Sequence, residues 1–239
     1  MRGIVRSGTV ERRSKPVAAP RPRTPRTDSI PAPAVRRLSL YLRQLEDFRA
    51  ADRPTVSSRQ LGEALGLSDA QVRKDLAYFG QFGRPGIGYR VDELIPRFRT
   101  ILGTDKTTNV LLVGVGNLGR ALIAYRGFSK RGFEVVAVFD KDVAKVGQTV
   151  VGQPPLTIQP LSELSKSVRK HSIRVGILAV PAPAAQSVAD EMIAAGIRGI
   201  LNFAPVTIQV GPGVSIAAVD LAVHLEQLSF QFSGHSPST

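Results

Sequence analysis

Three glycines, Gly114, Gly116 and Gly119, stand in a G-x-G-x-x-G spacing directly after the apolar run Val110-Leu111-Leu112-Val113. In this pattern the first glycine permits a tight turn and the second lets the backbone approach a pyrophosphate. The third allows a helix to pack closely on its strand. The helix opening through Asn117 and Leu118 offers unpaired N–H groups and a positive dipole end to phosphate. A second apolar strand, Glu134 to Phe139, ends at Asp140, 21 residues after Gly119. An acidic group at that place accepts hydrogen bonds from an adenosine ribose. Its charge favours NAD(H) over NADP(H), although Lys141 and Lys145 lie close by. These residues point to dinucleotide binding, NADH and NAD+ being the expected cofactors. The alternative is a Rossmann-like domain whose crevice holds nothing.

The elements that must position this turn form a doubly wound parallel sheet. Ile177 to Val180 reads as a further central strand, stopped by Pro181 and Pro183, and Gly199 to Phe203 as another. Val180, Pro181, Asn202 and Phe203 therefore fall at carboxyl ends of strands, where an open sheet holds ligand. For Phe203 a core position is the competing reading. Catalysis of hydride transfer needs a proton partner at the nicotinamide. His171, His224 and His235 follow no strand end, and Tyr125 lacks a lysine four residues on. An enzyme is therefore not expected.

Charge separates the chain into unlike halves. Residues 1–100 hold 20 Lys and Arg against 10 Asp and Glu, whereas residues 101–239 hold 12 against 9. A basic first half joined to a nearly neutral second half predicts a polyanionic partner, with DNA ahead of an anionic membrane surface. The chain has no cysteine, which excludes disulfides, thiolate metal sites and thiol switches. No apolar run reaches the length of a membrane span, and a cytoplasmic location is expected.

Residues 1–32 interleave arginine with proline and are expected to form a disordered basic arm. Helical periodicity then starts near Ala34, with Val35, Leu38, Leu42 and Leu45 as the stripe. Ser57 and Gln60 can cap a second helix carrying Leu61, Ala64 and Leu65 inward. Gly66-Leu67-Ser68 is a short turn, and Ala70 to about Phe79 a third helix with Val72, Leu76 and Phe79 inward. Two helices across such a turn, with basic residues on the second, spell a helix-turn-helix. Gln71, Arg73, Lys74 and Tyr78 lie on its outer side; a merely solvated face is the competing reading. Four glycines and a proline between Gly80 and Arg90, with Phe82, Ile87 and Tyr89 as packing residues, suit a β-hairpin wing with Arg84 near its tip. Pro96 is expected to limit regular helix in the connecting segment from Val91 to about Leu102.

The stretch SSRQLGEALGLSDAQVRKDLAYFGQFGRPGIGY, then VGVGNLGRAL, GILNFAPV and VDLAVHLEQLSF, resembles the Rex-type redox-sensing transcriptional repressors of bacteria over roughly residues 34–232. The resemblance implies a homodimer with an N-terminal winged helix, a Rossmann domain for NADH or NAD+, and a C-terminal helix swapped onto the partner subunit. It implies palindromic operator DNA as partner, released when the NADH/NAD+ ratio rises. The expected layout is an arm over 1–32, a winged helix over 33–104, a Rossmann domain over 105–218 and a terminal helix and tail over 219–239. Expected DNA-facing residues are Ser58, Gln71, Arg73, Lys74, Tyr78 and Arg84. The family's minor-groove arginine stands directly before the Gly-x-Gly-Tyr, which here is Pro85, with Arg84 one place earlier. Arg43, Tyr125 and Asp220 are implied as an allosteric switch; Asp220 equally suits an N-cap. The last helix carries Leu221, Leu225, Leu228 and Phe232 as a stripe that must be buried.

Overall fold

The computed structural model describes residues 30–83, 87–152 and 154–233. The expectations for residues 1–29 and for Arg84 lie outside those residues. The chain divides between Phe98 and Arg99 into two compact units.

In the first unit, helix α1 (Ala32–Ala50) follows Pro31 and carries Ala34, Leu38, Tyr41, Leu42 and Leu45 inward. The stripe thus starts at Ala34, while Val35 is 40% exposed. Steps of four, three and four residues from Ala34 hold one face, and Val35 is turned about 100° away from it. Helix α2 (Ser58–Leu65) begins with the expected capping box, Ser57 and Gln60 satisfying each other's backbone N–H groups. It ends at Gly66 in the left-handed region, at φ 66°. Ala64 faces solvent, contrary to expectation, and Gly62 is buried instead. A Cβ on Gly62 would lie 2.5 Å from the Leu67 carbonyl oxygen, so glycine is what lets the turn fold back onto α2. Helix α3 (Asp69–Phe79) is capped by Ser68 and buries Val72, Leu76 and Phe79.

Asp75 of α3 is also buried, with 0% exposure. Its Oδ2 accepts from Arg37 Nε at 2.5 Å and from Tyr41 OH at 2.7 Å, both on α1. Oδ1 accepts from Arg37 Nη2 at 2.8 Å and from Gln71 Nε2 at 2.7 Å. A carboxylate has about four lone-pair sites, and all are used, which is the condition for holding this charge out of water. Burial pushes the Asp75 carboxyl up, but the bonds from Arg37, Tyr41 and Gln71 outweigh it and the net shift is down.

Strand β1 (Thr55–Val56) pairs antiparallel with β2 (Tyr89–Arg90), Val56 opposite Tyr89. The wing segment therefore anchors to the strand ahead of α2; among the described residues it forms no hairpin of its own. Ile87 is 61% exposed rather than packed, while Phe82 meets Phe98 edge-on at 5.8 Å. Helix α4 (Val91–Ile101) runs straight through Pro96. Burial of Val91, Leu94, Ile95 and Phe98 on one face offsets the missing N–H, because the exposed Pro96 sits on the other.

The second unit is a seven-stranded sheet in the order β5-β6-β4-β3-β7-β8-β9. Its strands are β3 (Thr108–Val113), β4 (Phe133–Phe139), β5 (Thr149–Val150), β6 (Leu156–Gln159), β7 (Val175–Leu178), β8 (Gly199–Asn202) and β9 (Ser215–Ala218). All pairings are parallel except β5 with β6. Alternate residues of β3 serve the two faces. Leu111 and Val113 join Leu178, Met192 and Ile197 on one side, while Val110 and Leu112 join Ile123, Val138 and Ile177 on the other. Helices α5 (Asn117–Ala124), α6 (Gly127–Lys130), α7 (Leu164–His171) and α8 (Ala182–Ala195) complete the layers. β3 lies between β4 and β7, so the chain reverses its winding direction there and opens a crevice at the strands' carboxyl ends. The final helix, α9 (Leu221–Ser233), leaves Leu221, Leu225, Leu228 and Phe232 between 50% and 77% exposed.

Two consequences are measurable. A Cβ on Gly119 would collide with the Gly114 carbonyl oxygen, whereas one on Gly116 would meet nothing within 4 Å. Gly119→Ala should therefore lose ~1–3 kcal/mol of stability in urea unfolding, and Gly116→Ala less than about 0.5 kcal/mol. The lowered carboxyl of Asp75 contributes stability that is complete above its unfolded pKa of about 3.9 and lost as pH falls through the folded value. Asp75→Asn should cost ~3 kcal/mol at neutral pH and make thermal unfolding less sensitive to acid below about pH 4.

Candidate nucleotide cleft and nucleic-acid face

The crevice beside β3 is a cleft of 770 Å³ lined by Gly114, Gly116, Asn117, Leu118, Asp140, Val180 and Pro181. Lys141, Asp142, Val143, Lys145, Leu161 and Ala184 complete much of its wall. Each glycine has a different surrounding. Gly114, at φ 102°, lies against the Ala179 backbone, where no side chain fits. Gly116 faces open space, so a ligand can approach its backbone closely. Gly119 does not line the cleft; it is buried where α5 crosses the Gly114 carbonyl. The first turn of α5, whose N–H groups have no partner within the helix, borders this space.

Asp140 is 6% exposed. Its Oδ2 accepts from the Val115 backbone N–H at 2.8 Å and from Lys145 Nζ at 3.1 Å, and its Oδ1 from the Asp142 N–H at 2.9 Å. Burial pushes this carboxyl up, but the Asp142 amide, the Lys145 ammonium and the Val115 amide outweigh it, and the net shift is down. One acceptor site on Oδ1 remains for a ligand hydroxyl. The residue thus pins the glycine turn to the end of β4 as well as facing the cleft, a double duty that a count of residues from Gly119 does not reveal.

Asn202 and Phe203 do not join the cleft lining. The Asn202 amide is consumed in its own loop, accepting from the Ala204 N–H at 2.9 Å and donating to the Ala204 and Val206 carbonyls at 3.2 and 2.9 Å. Phe203 packs against the core on the α5 side of the sheet. Strand β7 stops at Leu178, two residues short of the expected end, which frees Ala179 and Val180 to line the crevice.

On the first unit, Arg73 and Lys74 project from the first half of α3 and are exposed, while Gln71 and Tyr78 are half-buried. Arg73 Nη1 donates to Asp69 Oδ2 at 2.7 Å and to Ser58 Oγ at 3.2 Å, which brings Ser58 of α2 and Arg73 of α3 to one place. Burial pushes the Tyr89 phenol up, against the opposing pull of Arg73 and Ser58, so β2 adjoins the same cluster. Asp75, which nothing in the sequence pattern singles out, orients this face together with Asp69. Among the described residues no group of His, Asp and Glu is placed to hold a metal ion.

The three implied switch residues lie on separate elements. Arg43 is exposed on α1. Tyr125, 60% exposed, ends α5 with its ring edge-on to Phe128 at 5.1 Å, and lines a second, smaller cavity with Val135, Val151 and Leu156. Asp220 Oδ1 accepts from the Ala222 and Val223 N–H groups at 3.0 and 3.3 Å, so its N-cap role is present.

Comparison with known proteins agrees with both units. Residues 105–206 match a family model described as a CoA binding domain, and residues 29–77 one described as a putative DNA-binding protein N-terminus. The redox-sensing transcriptional repressor Rex of Carboxydothermus hydrogenoformans is 47% identical over 201 residues, spanning 84% of this chain and 95% of that protein. A crystal structure of RSP in complex with β-NAD+ and operator DNA superposes with a TM-score of 0.81 at 35% identity, covering 86% of this chain and 93% of that one. RSP in complex with β-NADH gives 0.76 at 33% identity, covering 86% and 95%. With a helix-turn-helix unit followed by an α/β unit, and identity of this level across nearly the whole of its relatives, the chain belongs to the Rex family of redox-sensing transcriptional repressors.

Proposed function

We propose that this chain represses transcription by binding palindromic operator DNA as a homodimer, and that it leaves the DNA when the NADH/NAD+ ratio rises. The observation that carries the reading is the pairing, in one chain, of an open glycine cradle backed by Asp140 with a basic, doubly anchored α3. RSP, described in complex with β-NAD+ and operator DNA and again with β-NADH, is the solved relative that supports it. The relatives are named as repressors, and this chain acts as a regulator rather than an enzyme. No helix of the described residues is long and apolar enough to cross a membrane, and we place the protein in the cytoplasm.

Gly114, Gly116, Asn117 and Leu118 would hold the pyrophosphate on the α5 N-terminus, with Gly119 letting the helix come close enough. Asp140 would accept from the adenosine ribose through its remaining site, and Val180 and Pro181 would border the nicotinamide, with Asn202 shaping the loop and Phe203 the floor behind it. When bound, the cofactor supplies a nicotinamide that is cationic when oxidised and neutral when reduced. The DNA-facing set is Ser58, Gln71, Arg73, Lys74 and Tyr78, with Arg84 of the wing, in a winged helix over 33–104 ahead of a nucleotide domain over 105–218. Exposed α9, within 219–239, would cover its apolar stripe by crossing to the partner subunit. Arg43, Tyr125 and Asp220 would then act as the switch that transmits ligand state. Thermodynamics requires that NADH bind the DNA-incompetent state more tightly than the DNA-binding one, and by a larger factor than NAD+ does.

Binding to the DNA upstream of its own gene should be tight with NAD+ and lost on adding NADH. In Asp220→Asn, which keeps the oxygen that caps α9 and removes the charge, NADH should release that DNA at least about tenfold less effectively at unchanged helix content. DNA binding indifferent to both nucleotides would overturn the reading. Lys74→Ala should lower operator affinity by ~1–3 kcal/mol with little effect on random DNA if it contacts a base, as fluorescence anisotropy on both duplexes would report.

A further inference from the structure

Resting on the operator-binding reading above, we propose that Gln71 determines sequence specificity. The buried Asp75 holds it so that it presents its carbonyl oxygen, a hydrogen-bond acceptor, to an exocyclic amino group of adenine or cytosine in the major groove.

The orientation follows from chemistry at a saturated site. An ionised carboxylate accepts and never donates, so the amide group 2.7 Å from Asp75 Oδ1 must be the NH2 of Gln71. Turning the amide over would set Gln71 Oε1 against Asp75 Oδ1, acceptor against acceptor. Asp75 cannot relieve that clash by moving, because Arg37 grips both its oxygens and Tyr41 holds Oδ2 at 2.7 Å from the neighbouring helix. A glutamine on a free helix surface reads either polarity by rotating its amide; this one is fixed. Its backbone N–H is tied too, donating to Ser68 Oγ at 3.1 Å, which roots the residue in the first turn of α3. Recognition helices contact base edges from that turn. In the major groove the amino groups are adenine N6 and cytosine N4, whereas guanine O6 and thymine O4 are acceptors that would oppose Oε1. Asp75 is thus a positioning residue and Gln71 the one that touches the base.

The test uses the full-length protein with NAD+. Selection from a randomised duplex pool yields its preferred sequence, and each adenine or cytosine of a half-site is then replaced by purine or 2-pyrimidinone, which lack the amino group. At one position per half-site the wild type should lose roughly tenfold in affinity, and Gln71→Ala less than about twofold at that same position. Asp75→Asn, which lets the amide turn either way, should relax rejection of guanine and thymine there while selectivity at other positions stays. If Asp75→Asn fails to fold by circular dichroism, the wild-type and Gln71→Ala comparison decides alone. Amino deletions that cost Gln71→Ala as much as wild type at every position would overturn the assignment with operator binding intact. A selection that returns no preferred sequence would instead overturn the operator-binding reading, and this inference with it.

Discussion

Backbone packed directly on backbone at the end of β3 is the constraint on which the nucleotide-binding unit depends. Gly114 lies against Ala179 at the end of β7, and Gly119 of α5 lies against Gly114 itself. No side chain is tolerated at either contact, so strand, turn and helix are locked into one arrangement. That arrangement is what leaves Gly116 facing open space at the head of α5. Asp140 reinforces it from β4, its carboxylate accepting from the Val115 N–H inside the turn. The cleft is therefore formed before any ligand arrives, which reduces the ordering cost of binding.

The DNA-facing unit solves the corresponding problem with a charge. A helix of 11 residues on a small core has little apolar surface with which to fix its own rotation. Asp75 does so by pinning α3 to α1 through Arg37 and Tyr41. A buried, saturated carboxylate is directional where packing is not, so it sets which side chains of α3 face outward. The same group reaches Gln71, and the Asp69–Arg73–Ser58 contacts continue the ordering toward α2.

Much of this was legible in the sequence, for reasons that are local. Glycine spacing, the Ser57–Gln60 capping box and the Gly66 turn each state a requirement within a few residues, and the structure has all three. The doubly wound sheet was legible because its central strands are apolar throughout. Its edges did not signal themselves, because β5 has only two residues and β9, as long as β7 and β8, is mostly exposed. Periodicity misassigns Val35 and Ala64 because small residues such as Ala34 and Gly62 fill the tight contacts, and Ile87 is exposed where an apolar wing residue is expected to pack. Pro96 was read by its intrinsic cost, which the packing of Leu94, Ile95 and Phe98 overrides. Asp75 was hidden because an acid on an amphipathic helix is taken to face water, and its partners lie 34 and 38 residues away. Asn202 was recognised as special, but its amide serves the loop that follows it.

The division of labour inside the cleft follows from what the two redox forms share. NADH and NAD+ have the same adenosine and pyrophosphate, so protein groups that touch only those parts bind both forms equally. A ligand with equal affinity for two states shifts neither, however tightly it binds, and an equilibrium moved from 1:99 to 99:1 needs ~5.5 kcal/mol of difference. Contacts to those shared parts can therefore set how much nucleotide is bound, but not which form releases DNA. Discrimination must come from the nicotinamide end, where the lost positive charge and altered ring shape are felt. In the cleft, Val180 and Pro181 follow the end of β7, with Val180 against the same Gly114 turn.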